Sequence, residues 1–316
     1  VSGFTRRFGA FFLLALSMLG GCSCNEATKR KRGLESEPEP EPEPASRRLD
    51  VIYVVTIESQ LFAFDPTVPG LAAYQLVGTL ACDSKGSPQS MAVDREGMAW
   101  VFFSSGKLYR VSTRDASCTP TDYVHPSSNT MLGMAFTAES RRSEQERLFI
   151  ASPAFGLANV DTNSLRVEHL DRTPFKAELA GGSDAKLFML TPREYGAGTA
   201  AARLDQIDRA THRPSALMRL ADYGVPSAWA FARYDGLFYL FITPVGLAHS
   251  QTWMVDAANK SERLRDPELD FVVVGAGQST KIPQPDTGAA LSGSPFEPPP
   301  KADLPKPAPL RQRTTR

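Results

Sequence analysis

Repetition is the feature that most constrains what this chain can fold into. The stretch "SMAVDREGMAWVFFSSGKLYRVSTRDASC", Ser90 to Cys118, reads as apolar strand, turn, apolar strand, Ser-Ser-Gly turn, then a third strand ending near an aspartate. The same grammar returns in "MLGMAF" with "RLFIAS" and "GLANVDTNS", in "AELAGGSDAKLFMLTP" with "ARLDQIDRATHRPSALMRL", and in "SAWAFARYDGLFYLFITP" with "QTWMVDAANKS" and "DFVVVGAG". A further copy, "DVIYVVTIESQLFAFDPT" with "AYQLVGTLAC", opens the series and supplies only the second, third and fourth strands. The unit is about 45 residues long and recurs about five times. Its strand runs are rich in Val, Phe, Tyr, Leu and Ile and are bounded by Gly, Asp, Ser and Asn. Long stretches of 3.6-residue periodicity are scarce, so helical folds are set aside.

A four-stranded unit of this length cannot bury its own faces. Set radially around an axis, each unit packs on its two neighbours. The expectation is an all-β fold, a β-propeller of five or six blades. A β-sandwich or jelly roll built of the same strands would not need the near-regular return of strand-Asp-Gly-strand. Since the first unit lacks an inner strand, either the two ends of the chain close the ring together or that unit is out of register.

The flanks read differently. Arg6 and Arg7 precede an apolar run, Phe8 to Leu19, of about 12 residues; that is short of the roughly 20 that span a bilayer, but it matches the length of a signal-peptide core. Leu19-Gly20-Gly21-Cys22 then resembles the bacterial lipobox, which implies a signal peptide over 1–21 and a Cys22 whose thiol takes a diacylglycerol and whose freed amine is acylated, as by palmitate; several acyl chains anchor a protein stably. Residues 22–46 carry a Glu-Pro repeat at 37–44 that favours polyproline II, and they read as an unfolded spacer. Residues 283–316 are proline-dense and end basic, the composition of a disordered tail. The folded domain is expected over 47–282.

Lys and Arg number 35 and Asp and Glu 35, so no global field draws the chain to nucleic acid. Of four cysteines, Cys22 is the lipid site and Cys24 lies beside it, while Cys82 and Cys118 fall inside the fold. Export to an oxidising compartment favours a Cys82–Cys118 disulfide; two separate buried thiols are the alternative.

Signs of catalysis are few. His125, His169, His212 and His249 fit no metal motif and read as surface residues. There is no CxxC pair, no Walker loop and no nucleophile elbow, and Gly275-Ala-Gly277, followed by Pro283 rather than a helix, reads as a turn. Asp65, Asp94, Asp161, Asp184, Asp205, Asp208, Asp235 and Asp256 stand at strand ends, where aspartate caps turns. Trp100, Trp229 and Trp253, with Phe102, Phe231 and Tyr239, read as packing between blades. No catalytic residue, metal ligand or cofactor is assigned.

"PQSMAVDREGMAWVFFSSGKLYRVSTRDASCTPT", "AWAF" with "LFYLF", and "VVVGAGQST" together resemble the β-propeller lipoproteins of myxobacteria over most of residues 50–282; Lys281 stands where similar chains often carry a cysteine. No activity carries over from that resemblance. The expected function is a non-enzymatic binding or scaffold protein, lipid-anchored in the cell envelope on the periplasmic or outer-membrane face. Its partners would be the membrane, through the anchor, and an envelope protein or glycan. The alternative is a metal-dependent, lactonase-like propeller hydrolase, whose calcium would need three or more carboxylate or amide groups converging at about 2.3–2.6 Å.

Overall fold

In the computed structural model, residues 48–141, 143–173, 176–193 and 201–285 are described. The signal peptide, Cys22, the Glu-Pro spacer and the tail beyond 285 lie outside them.

The chain forms five four-stranded antiparallel sheets. Blade 1 takes β1 (Ile52–Thr56), β2 (Gln60–Phe64) and β3 (Tyr74–Thr79), with a single 3₁₀ turn over Gly70–Ala73 before β3. Blade 2 is β4 (Pro88–Val93), β5 (Met98–Phe103), β6 (Leu108–Ser112) and β7 (Cys118–Pro120). Blade 3 is β8 (Gly133–Ala138), β9 (Glu146–Ser152), β10 (Gly156–Val160) and β11 (Val167–Asp171). Blade 4 is β12 (Glu178–Ala180), β13 (Leu187–Thr191), β14 (Arg203–Ile207) and β15 (Pro214–Arg219). Blade 5 is β16 (Pro226–Tyr234), β17 (Leu237–Pro244), β18 (Gln251–Asp256) and β19 (Ser261–Asp266). The last strand, β20 (Val273–Gln278), returns to blade 1 and pairs with β1, Ile52 opposite Gln278 and Val55 opposite Gly275. Blade 1 thus takes its inner strand from the far end of the fold, and the ring is shut by hydrogen bonds between the two ends of the domain. The fold is the expected five-bladed propeller.

This closure corrects the reading of Gly275-Ala-Gly277 as a turn. Both glycines lie inside β20, and glycine is required there because the neighbouring inner strand is so close. A Cβ on Gly277 would stand 2.8 Å from the backbone nitrogen of Val93. Gly133, opening β8, is in the same situation against blade 4, where a Cβ would meet the carbonyl oxygen of Ala177 at 2.2 Å. Five inner strands make a narrow ring, and small residues let their backbones approach.

The core lies between blades rather than within one. Five apolar clusters fill the five seams: Tyr53 and Val55 with Val101 and Phe103, for instance, between blades 1 and 2, and Phe188 with Phe231 and Phe238 between blades 4 and 5. Inner and second strands are almost wholly buried, as in β5 and β9, whereas the outermost strands β3, β11, β15 and β19 are mostly solvated. Each large apolar side chain so buried contributes about 1.5–3 kcal/mol.

The aspartates that punctuate the repeat have a shared local cause. Between the third and fourth strands, Asp161 accepts from the N–H groups of Asn163 and Ser164, Asp208 from those of Ala210 and Thr211, and Asp256 from those of Ala258 and Asn259. Four residues past each, Leu165, His212 and Lys260 adopt positive φ and finish the turn. These hydrogen bonds hold the Asp161 and Asp208 carboxyls below the usual range. Three or four residue pairs away from the turn, the pairing of third with fourth strand slips by a residue in blades 1, 3, 4 and 5, which adds twist to the outer edge.

Cys82 and Cys118 form a disulfide, with Cα atoms 5.0 Å apart. Cys82 lies on the link from β3 into blade 2 and Cys118 begins β7, so the bond fastens the rim of blade 2 to the exit of blade 1.

Candidate binding site at the mouth of the central channel

All five inner strands run in the same direction, so their first residues share one face, here called the mouth. A cavity of about 160 Å³ opens there, lined by Gln89, Met131, Glu178, Ser227, Trp229 and Val274 among others. On the same face the loops leave apolar side chains in water. Ile57 is 42% exposed on the β1–β2 turn, Val124 79% on the link from blade 2 to blade 3, and Val245 64% and Leu247 49% on the β17–β18 turn.

Glu178 is the chemical centre of this cavity. It opens β12, is only 6% exposed, and accepts from Ser90 Oγ at 3.0 Å. The backbone N–H groups of Met134 and Leu179 also reach its carboxyl, but loss of solvent is the larger effect and raises its pKa well above the usual range. Trp229, on β16, is half-buried; its indole N–H is shielded from solvent and has no hydrogen-bond partner, and Lys176 Nζ lies 5.8 Å from the ring centroid.

The opposite end of the channel is closed. Arg233, wholly buried, pairs with Asp184 at 2.7 Å and lies over the Phe188 ring. Beneath it residues 279–285 cross the ring. Ser279 donates to the carbonyl of Arg95 at 2.8 Å, Thr280 to Glu146 at 2.6 Å, and Gln284 Nε2 to Gln278 Oε1 at 2.8 Å, while the N–H of Gln284 donates to Ser183 Oγ at 2.9 Å. Of the tail expected from 283, residues 283–285 thus rest against the ring.

The residues singled out in the sequence are dispersed. Asp65, Asp94, Asp161, Asp208 and Asp256 cap turns. Asp205 does not; it sits within β14, buried, with Arg203 Nε at 2.7 Å. Trp100 meets Phe136 across the seam of blades 2 and 3, Phe102 and Phe231 fill seams, Tyr239 packs on Phe64, and Trp253 lies on Tyr223. Of these aspartates and aromatics, Trp229 is the one that lines the cavity at the mouth. His125 is not the surface residue its loop suggests. It is half-buried beside Phe102 and Phe155, bonded to Tyr123 Oη at 3.2 Å and the Asn129 carbonyl at 2.9 Å, and burial lowers its pKa. Among the described residues, no group of three or more His, Cys, Asp and Glu stands close enough to hold a metal ion.

Glu178 and Arg233 were not singled out in the sequence. The signal was present in "AELAGG" and "AFARY", where a single charge interrupts a run of small or apolar residues in an inner-strand position. A charge there is buried by the ring and must be paired or neutral.

No protein-family model matches the chain, and no curated protein does. Solved structures similar to it include a chain of a nidogen–laminin complex, at 9% identity over 72% of this chain and 97% of that one, with a TM-score of 0.45. TolB from Acinetobacter baumannii follows at 10% identity, 70% and 54% coverage and 0.42. A structural-genomics protein of unknown function from Bacteroides thetaiotaomicron shows 11%, 62%, 54% and 0.42. The chain spans about half the length of the last two.

Proposed function

We propose that this protein is a non-enzymatic binding or scaffold protein of the cell envelope, held at a membrane by lipid on Cys22 and engaging an envelope protein or glycan through the mouth of its propeller. One observation carries the reading: a rigid ring presents, on a single face, a 160 Å³ cavity bordered by Trp229 and loops whose apolar tips, Val124 and Val245, stand in water. An apolar cavity with a few polar groups inside a fixed frame is what a binding site needs. The metal-dependent hydrolase reading finds less support, because the carboxylates that such a site would gather are engaged in separate turns and pairs.

Two measurements test the proposal. Mass spectrometry of protein from its native envelope should find Cys22 acylated at the mature N-terminus, and Cys22→Ser should release the protein from the membrane fraction. A photocrosslinking residue at position 245 should label an envelope partner that the same residue at position 219, on the outer edge of blade 4, does not, and Trp229→Ala should abolish the labelling. Equal labelling from both positions, or turnover of a lactone or ester panel that needs an added divalent metal, would replace this reading with another.

A further inference from the structure

Glu178 at the mouth is a buried acid without a counter-charge. It is only 6% exposed and lines the cavity of about 160 Å³. Among the described residues no cationic side chain pairs with it. The strands packed around it account for this. β4 and β8 carry no titratable side chain, nor does β13. On β16, Arg233 and Tyr234 stand at the far end, with Arg233 held by Asp184 at 2.7 Å. On β9, Glu146 and Arg147 lie at the end away from the mouth, Glu146 opposite Ala138. Lys176, two residues before Glu178, has its Nζ 5.8 Å from the centroid of the Trp229 ring.

What does surround the carboxyl is a set of donors. Ser90 Oγ donates at 3.0 Å, and the backbone N–H groups of Met134 and Leu179 donate to it as well. An ionised carboxylate offers about four acceptor positions, so about one is left for a group in the cavity. The three donors favour the anion, while burial with no cation beside it favours the protonated acid and prevails. A cation entering the cavity would remove that conflict, because a buried charge is stable when it is paired and hydrogen-bonded.

The walls select the kind of cation. Ile57, Met131, Leu132 and Val274 are apolar. Gln89 and Ser227 are uncharged, and Ser227 Oγ already donates to the Thr243 carbonyl at 3.1 Å. A sugar would find few partners for its hydroxyls there. A guanidinium fork calls for two acceptor positions, whereas an ammonium is a point charge on a methylene stem. Such a stem suits apolar walls, and a cavity of about 150 Å³ is known to be roomy enough for benzene. Val245 and Leu247, 64% and 49% exposed on the β17–β18 turn, would meet the apolar surface that flanks the stem.

We propose that the mouth cavity takes a lysine side chain from a partner protein, with its ammonium on Glu178 and its stem along the apolar wall. This rests on the reading of the mouth as the binding face and narrows the partner to a protein. The ammonium keeps its protons. Glu178, where it starts protonated, gives its proton to solvent as the pair forms. Affinity therefore rises with pH through the titration of Glu178.

The probe is n-butylammonium, titrated into the full chain by calorimetry over a series of pH values, with n-butanol as its uncharged match. Butylammonium should bind the parent more tightly than butanol, and its affinity should rise with pH. Buffers of different ionisation heat should reveal proton release on binding, which is read in the parent without any variant. In Glu178→Gln the affinity should fall about ten-fold or more, as expected when a hydrogen bond to a charged group is lost, and proton release should vanish. Matching circular dichroism of parent and variant shows that the ring is intact. Butylammonium that binds no better than butanol, or equally well to Glu178→Gln, overturns the inference. So does crosslinking from position 245 that survives acetylation of the lysines in the envelope extract, or that falls on a glycan. Those outcomes leave the mouth as a binding face. Labelling from position 245 no stronger than from position 219 removes that reading instead, and the calorimetric result is independent of it.

Discussion

Ser90 Oγ donates to Glu178 Oε2 across 3.0 Å, tying the inner strand of blade 2 to that of blade 4 past the intervening strand of blade 3. The Met134 N–H that also reaches this carboxyl belongs to that middle strand, so one buried acid joins three blades. Because burial raises the pKa of Glu178, its proton is held more tightly in the folded protein than in the unfolded chain. Its contribution to stability is complete at pH below the ordinary glutamate value and is lost as pH rises through the raised one. Glu178→Gln, which keeps an acceptor for Ser90, should therefore flatten the alkaline fall in stability. Glu178→Ala should cost about 1–3 kcal/mol near neutrality by leaving Ser90 and Met134 unpaired. Denaturant midpoints across pH check both, and parallel profiles for parent and Gln variant would contradict the assignment.

Glu146 should show a pH dependence of the same sign. Loss of solvent pushes its pKa up from 4.5 to about 7, more than the hydrogen bonds from Arg95 and Thr280 pull it down. The folded state gains relative to the unfolded one below about pH 4.5 and loses that gain as pH rises toward and through about 7, a change on the order of 3 kcal/mol. In Glu146→Gln the amide oxygen still accepts from the Arg95 N–H and the amide nitrogen can donate to Thr280. That variant should be the more stable of the two at pH 8 and lose its advantage at pH 4. The difference between the two unfolding curves, taken at each pH, is the measurement.

What the sequence disclosed and what it withheld divide by range. The turn built on Asp161, Asn163 and Ser164 is settled within a few residues, so the recurring strand-then-aspartate pattern was readable, and with it the propeller. The strand made by Gly275 and Gly277 was misread because its meaning depends on Tyr53 and Val93, far away in sequence. Glu178 was overlooked for the same reason, since its partners come from two other blades. The closing segment around Gln284 looks like the start of a proline-rich tail until the ring beneath it is known. Trp229 reads locally as one more packing aromatic; only its place at the start of an inner strand brings it to the mouth.

Gly277→Ala should destabilise the protein by about 1–3 kcal/mol, the usual cost of forcing a side chain into a close-packed site. The added carbon would stand 2.8 Å from the Val93 nitrogen, 3.1 Å from Val93 Cγ2 and 3.2 Å from the Ala92 carbonyl carbon, and easing those contacts strains the packing of the closing strand against β4. Gly246, on the exposed β17–β18 turn, is the control for space. A Cβ there meets nothing within 4 Å, although its φ of 96° adds backbone strain. The predicted distinction is in susceptibility. Gly277→Ala should increase proteolytic release of the C-terminal strand from β1, whereas Gly246→Ala should lower stability without it. Equal release from both would mean that the 273–278 strand is not held by close approach.

Reduction of the Cys82–Cys118 bond should weaken the domain without dismantling it. The bond closes a loop with a sequence separation of 36, for which chain entropy gives roughly 3–4 kcal/mol. Both sulfurs lie at the outer rim of blades 1 and 2, packed against the edge of the cluster that includes Val101 and Tyr109, so the seam keeps its apolar filling when the bond is cut. The double variant with Ala at both positions should accordingly fold, keep its β-sheet circular dichroism and unfold at lower denaturant. Its proteolytic cuts should concentrate between 82 and 118, where the freed loop has gained entropy in the unfolded state and lost its fastening in the folded one. Non-reducing peptide mapping of the parent must first find the two cysteines linked; free thiols at both positions in protein taken from its native compartment would remove the basis for the prediction.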